Sequence, residues 1–256
     1  MKPETKKAKL LYMAKKTSQS KTSQSKTAKR TTGQKLKRFV WLAFLWFNGI
    51  NFLIVLLFKF VPVPFTPLMG IRAMEHKKEG RDMICSHEWV PLDEISLNLQ
   101  KAVIASEDGR FLDHWGFDFE AMKKAFKSNQ RGKKIKGGST ISQQTAKNVF
   151  LWQGRSYIRK GLEAYYTVWI ELVWGKKRIM EVYLNSIEMG DGVYGAEAAA
   201  KHWYRKDAAS LTRYEAAGIA AILPNPRKFK ASNSSSYINR RKARISRYIR
   251  MVELNY

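Results

Sequence analysis

YIRKGLEAYYTVWIELVW, Tyr157 to Trp174, decides the fold class. The stretch is long, aromatic and apolar nearly all round, and its length suits a helix rather than a strand. It reads as a central buried helix. Its neighbours are helical as well. Lys176 to Ile187 continues with a further helix, and EMGDGVYG (Glu188 to Gly195) is a turn-rich loop. Thr212 with Glu215 is a capping pair that opens another helix, which Pro224 stops. Ser236 to Val252 is a basic helix with Ile238, Ile245, Ile249 and Val252 on its apolar side. Upstream, Thr140 with Gln143 predicts a helix start in STISQQTAKN. Ser128 to Gly138 is a basic, glycine-containing loop. Asp118 is placed as an N-cap, followed by Phe119, Met122 and Phe126 on one face. Leu92 to Ser106 is a helix. Strand alternation is scarce, so the fold class is mainly α.

The N-terminal quarter has another character. Residues 1–38 carry 13 Lys and Arg against one acid, Glu4, and include the direct repeat KTSQSKTSQSKT (Lys16 to Thr27). They read as a disordered basic tail. FVWLAFLWFNGINFLIVLLF, Phe39 to Phe58, follows without a charge. It is long enough to cross ~30 Å of hydrocarbon, so residues 39–60 are assigned as a single transmembrane helix. Lys35 to Arg38 with Trp41 and Trp46 suit its interfacial end, and the positive tail keeps the N-terminus in the cytoplasm. The basic region and the apolar run are both too long for a cleaved signal. Val61 to Pro67 is an extended Pro-rich connector, within a juxtamembrane linker of 61–91. Residues 92–256 form the last domain. The formal net charge of +26 points to a polyanionic partner, such as nucleic acid, a phospholipid surface or a phosphorylated substrate. The lone Cys85 excludes an internal disulfide and the paired-Cys metal patterns.

Three groups could carry chemistry. ASEDGRFLDHWGFD (Ala105 to Asp118) holds Glu107, Asp108, Asp113 and Asp118 among aromatic residues. Glu107 follows apolar VIAS, and apolar walls raise a carboxyl toward the range useful in proton transfer. The other reading is a helix-end carboxylate paired with Arg110. Asp113 and His114 suit a hydrogen-bonded scaffold better than a metal site. Glu163, inside the central helix, is the second candidate; it has Arg159 one turn before it and is open to a structural reading. Two carboxylates on separate segments fit chemistry at an anomeric carbon. The third group is GGSTISQQTAKN (Gly137 to Asn148), glycines before a capped helix start whose free N–H groups make an anion site. Ser139 and Thr140 add hydroxyls; Lys147, Arg155, Arg159 and Lys160 add positive charge. Together these suggest a phosphorylated glycosyl donor.

EDGRFLDHWGFD (Glu107–Asp118), GGSTISQQTAKN (Gly137–Asn148), RKGLE (Arg159–Glu163) and RIMEVYLNSIEMGDGVYG (Arg178–Gly195) resemble, in order, the signature motifs of the peptidoglycan glycosyltransferases. AAKHWYRKDAASLTRYEAAGIAAILPNP (Ala199–Pro226) resembles their last block. No transpeptidase segment follows, so the resemblance is to the single-domain members. It implies a lysozyme-like, two-lobed helical domain behind one membrane anchor. It implies polymerisation of lipid II with release of undecaprenyl pyrophosphate and inversion at the anomeric carbon. Glu107 falls on the general base. Glu163 falls on the second acid, which assists at the pyrophosphate or holds a divalent cation, Mg or Mn, there. No covalently bound cofactor is implied. Ser139, Gln144, Lys147, Arg155 and Arg159 fall on substrate contacts, with Phe111 grouped among them, and Asp108 and His114 on supports of the first motif. The implied partners are lipid II, the growing glycan chain, membrane lipid and other cell-wall synthesis or division proteins, with no nucleic acid. The implied location is the bacterial cytoplasmic membrane, with the catalytic domain on its outer side. Gly109 and the short, Ser-rich block after Pro226 depart from the pattern. The rivals are a peptidoglycan-cleaving enzyme of similar fold and a non-catalytic binder of anionic polymers.

Overall fold

A computed structural model describes residues 32–130, 138–154 and 156–256. The chain divides into two compact units, meeting between Ile50 and Asn51. Helix α1 (Thr32–Phe60) runs through that division. It starts before the apolar run, so residues 32–38 are helical rather than part of a disordered tail. Gln34, Lys35, Leu36, Lys37 and Arg38 are good helix formers, and adding residues to an existing helix costs little. Residues 1–31 lie outside the described residues. Up to Ile50, α1 presents its large apolar side chains to the surroundings, Phe39 and Trp46 among them. Among the described residues it is the one helix long and apolar enough to cross a membrane.

The second unit begins with the last turns of α1. Asn51 and Val55 are buried there. Trp174 Nε1 donates to the Val55 carbonyl at 2.7 Å, and the Arg178 guanidinium donates to the carbonyls of Phe58 (2.8 Å) and Val61 (2.6 Å). The bond to Phe58 satisfies one of the carbonyls that every helix end leaves open. The segment predicted as a linker contains a further helix, α2 (Pro67–Lys78), with Thr66 as N-cap and Pro67 at its first position. Both are strong helix-start signals.

Helix α3 (Leu97–Glu107) follows a short 3₁₀ turn at Leu92–Glu94 and ends on Glu107. Helix α4 (Phe119–Gln130) is capped as predicted: Asp118 Oδ1 accepts from Ala121 N at 2.9 Å. Its Phe119, Met122 and Phe126 share a face, but that face is exposed. Helix α5 (Ile141–Phe150) begins with the predicted Thr140–Gln143 capping box. Helix α6 (Tyr157–Val173) packs on α5 and on α7 (Gly175–Ser186). It is not buried all round. Arg159, Glu163, Tyr166, Thr167, Ile170 and Glu171 form its buried side, whereas Val168 (47 % exposed) and Leu172 (65 %) face outward.

EMGDGVYG holds two short strands rather than only turns. β2 (Glu188–Gly190) pairs antiparallel with β3 (Val193–Tyr194), which pairs parallel with β1 (Ser86–His87). Helix α8 (Ala196–Tyr204) leaves this sheet. Helix α9 (Arg213–Ile222) opens with the predicted Thr212–Glu215 box, and Ala216 through Ile222 are all buried. Its short side chains let α3 and α10 (Ser236–Tyr248) pack closely on it. α10 gives way to 3₁₀ at Ile249–Met251, with Ile238, Ile245 and Ile249 buried and Val252 only partly so. The fold is mainly α, with one small three-stranded sheet among the described residues.

Candidate active site

The loop after α3 is held by Asp108 with His114, the two residues that the resemblance placed as supports, and His114 is turned to Asp108 rather than to Asp113. Asp108 is 6 % exposed. Its Oδ2 accepts from Ile141 N at 2.9 Å, and His114 Nε2 lies 3.0 and 3.1 Å from its two oxygens. Asp108 therefore ties its own loop to the first turn of α5. Gly116 completes the clamp. Its carbonyl accepts from Thr140 Oγ1 at 2.6 Å, its φ is +80°, and an added Cβ would stand 2.6 Å from Thr167 Cγ2. Only glycine fits there. Arg110 turns away from Glu107 and pairs with Glu120 at 2.6 Å. This removes the alternative in which Arg110 was the partner of Glu107.

The same bonds overturn the predicted anion site at the start of α5. Ile141 N is taken by Asp108, Thr140 N by Gln143 Oε1 (3.0 Å) and Gln143 N by Thr140 Oγ1 (3.2 Å). These three amides are spent within the protein, which leaves more of an anion's binding to side chains. Phe111 is corrected too. It is 0 % exposed, with Lys176 Nζ 4.6 Å from its ring centroid, which makes it a core residue out of a substrate's reach.

Glu107 sits at the end of α3 between α5 and α10. Gln144 Nε2 donates to its Oε2 at 3.2 Å, and Tyr183 Oη donates in turn to Gln144 Oε1 at 3.3 Å. Arg241 Nη2 lies 3.7 Å from Glu107 Oε1. Burial pushes the Glu107 carboxyl above the usual carboxylate range, while Gln144 and Arg241 pull against it. The Tyr183 phenol, fully enclosed, is pushed well above its ordinary value by burial. Glu163 has the opposite surroundings. Arg159 Nη1 donates to Oε2 at 2.8 Å, Lys160 Nζ donates to Oε1, and Lys160 also donates to Ser139 Oγ at 3.2 Å. Lys147 is close enough to feel Glu163; burial pulls its ammonium below the ordinary lysine range and Glu163 raises it. Ser139, Lys147, Arg159, Lys160 and Glu163 thus make one cation-rich cluster. Arg155 lies outside the described residues. Among the described residues, the protein's own side chains do not make a complete cage for a divalent ion here, so any such ion would need the substrate's phosphates as ligands. Glu163 already has two cations on its oxygens, and among the described residues no three His, Cys, Asp or Glu side chains come together.

A cavity of about 210 Å³ takes Gln144 from beside Glu107 and Lys147 from the cluster around Glu163. Gln144, Lys147, Asn148 and Tyr183 line it, with Arg72 from α2 and Glu188 from β2. Sequence reasoning missed Tyr183, Arg72 and Arg241. For Arg241 a signal existed: it is three residues after Ile238 and four before Ile245, at the edge of the apolar stripe of α10.

A half-buried carboxyl raised by its surroundings and a second carboxylate wrapped in cations, on a mainly helical scaffold, are groups suited to an enzyme that transfers glycosyl units. Residues 78–250 match the Transglycosylase family. The chain is 56 % identical over 193 residues to the "Biosynthetic peptidoglycan transglycosylase" of Caulobacter vibrioides, covering 75 % of this chain and 82 % of that one. The proteins of the same name from Pseudomonas syringae pv. syringae (49 % over 219 residues; 86 % and 93 % covered) and Bdellovibrio bacteriovorus (52 % over 213 residues; 83 % and 85 %) are also similar. The chain belongs to the transglycosylase family, whose domain is helical and lysozyme-like, and it is a glycosyltransferase.

Proposed function

We propose that this peptidoglycan transglycosylase polymerises lipid II into β-1,4-linked glycan strands and releases undecaprenyl pyrophosphate with inversion. The observation that supports it most is the unequal surroundings of the two glutamates. Glu107, raised by burial, is suited to take a proton at the pH where cells live. It removes the proton of the 4-hydroxyl of one lipid II. That oxygen attacks the anomeric carbon of the growing chain from the face opposite the α-linked pyrophosphate, so the new bond is β. The leaving pyrophosphate is already acidic and needs positive charge rather than a proton. Lys147, Arg159 and Lys160 supply it, and Glu163 holds Arg159 and Lys160 in place.

The anchor belongs to the same reading. The basic residues before Phe39 stay in the cytoplasm and the catalytic unit lies outside. If Phe39 to Phe58 spans the bilayer, the turns at Asn51, Phe52 and Val55 lie within it. Phe52 packs on Trp169 of α6, with ring centroids 5.3 Å apart. The outward Val168 and Leu172 of α6 then meet lipid, and both lipid-bound substrates reach the cleft along the membrane surface.

The test supplies full-length protein in detergent with lipid II and, separately, with finished glycan strands. Polymer from lipid II supports the proposal. Fragments released from strands, with no polymer from lipid II, would make the protein a cleaving enzyme.

A further inference from the structure

Arg241 lies outside the five motif stretches quoted above, though within the residues 78–250 that match the family. It is nevertheless the one cation, among the described residues, paired with Glu107. The side chains of Arg241 and Glu107 are 28 % and 15 % exposed, so water screens the pair only partly. Its place is fixed by packing. α10 rests on α3, the helix that ends at Glu107, and Ile238 and Ile245 are buried one turn to either side. The other groups facing Glu107 cannot replace it. Gln144 of α5 is neutral, Tyr183 of α7 is a phenol that keeps its proton, and Asp108 is a like charge next in the chain.

The spacing also matters. A carboxylate gripped by a two-pronged arginine has its lone pairs occupied and loses basicity. At 3.7 Å, Arg241 Nη2 lends charge without making a hydrogen bond. Glu107 Oε2 is held by Gln144, and Oε1 stays available for an incoming hydroxyl. We propose that Arg241 is the positioning residue of the base, holding Glu107 ionised and turned toward the cleft without occupying the oxygen that takes the proton. This rests on the reading of Glu107 as the base.

The test reads the carboxyl directly. Full-length protein with ¹³C-labelled glutamate carboxyls is titrated by NMR in detergent, with Glu107→Gln identifying the Glu107 signal. Arg241→Gln should raise its midpoint by about one pH unit or more, the lower end of what an opposite charge at this range does. The acid limb of kcat/KM on lipid II should move by the same amount, with KM within about twofold. Arg241→Lys should restore both, and Arg241→Met, equally uncharged, takes the place of the glutamine variant if that one does not fold. An unmoved midpoint overturns the proposal, as does a higher KM with an unmoved midpoint, which would make Arg241 a substrate contact. A midpoint that moves in a protein making no polymer leaves the Arg241–Glu107 pairing standing and removes the proposed reaction instead.

Discussion

Replacing Asp108 separates scaffold from chemistry in a loop where four carboxylates lie within twelve residues. Asp108→Ala leaves two buried donors, Ile141 N and His114 Nε2, without their acceptor. An unpaired buried donor costs about 1–3 kcal/mol, so two of them put the expected loss at about 4 kcal/mol. That is a large part of the ~5–15 kcal/mol that holds a domain folded. For a domain of this size, each kcal/mol moves Tm by about 2–4 °C, so Tm should fall by about 8–16 °C. Asp108→Asn keeps one acceptor oxygen and should lose about half as much. Circular dichroism of the detergent-solubilised protein, scanned with temperature, measures both. A Tm within about 2 °C of wild type, together with lost activity, would refute the reasoning and make Asp108 a catalytic group.

Glu107 should cost the fold stability at neutral pH. Its folded pKa is raised, so its contribution is present below the ordinary carboxylate range and lost as pH rises through the folded value. Glu107→Gln should therefore unfold at a higher temperature than wild type at pH 7, and the gap should close below about pH 4; a lower Tm at pH 7 contradicts this. Gly116→Ala meets both a positive φ and Thr167, so a loss of about 2–4 kcal/mol in urea unfolding is expected, and a neutral result would show that the loop after α3 is not clamped. Phe111→Ala should lose about 3–5 kcal/mol through its cavity while KM for lipid II stays unchanged in whatever folds; a raised KM with intact stability would return Phe111 to the substrate site.

Local chemistry made much of this legible in advance. Asp118, Thr140 and Thr212 each cap a helix where short polar residues precede apolar periodicity, because a cap is decided within four residues. What failed was long-range. The amides at the start of α5 look free in GGSTISQQTAKN, but Asp108 occupies Ile141 N from 33 residues away. Phe111 looks like an aromatic at a cleft, and only the packing of Lys176 over its ring shows it to be core. α6 looks apolar all round because the residues that leave the core, Val168 and Leu172, are as apolar as those that enter it. A sequence pattern records apolar character without saying whether protein or lipid provides the surroundings. Arg241 stands among several arginines of a basic helix, and only the packing of α10 on α3 singles it out.

In the proposed reaction Glu107 removes the acceptor proton while the Lys147–Arg159–Lys160 cluster receives the leaving group. The most direct test of this is glycan polymerisation from lipid II by Glu107→Gln, with lipid II binding measured on the same preparation. Glutamine keeps the shape and can still accept from Gln144, so binding should stay within about threefold of wild type, while polymerisation should fall by about 10³ or more. Polymerisation at near wild-type rate by a folded, lipid II-binding Glu107→Gln protein would contradict the account.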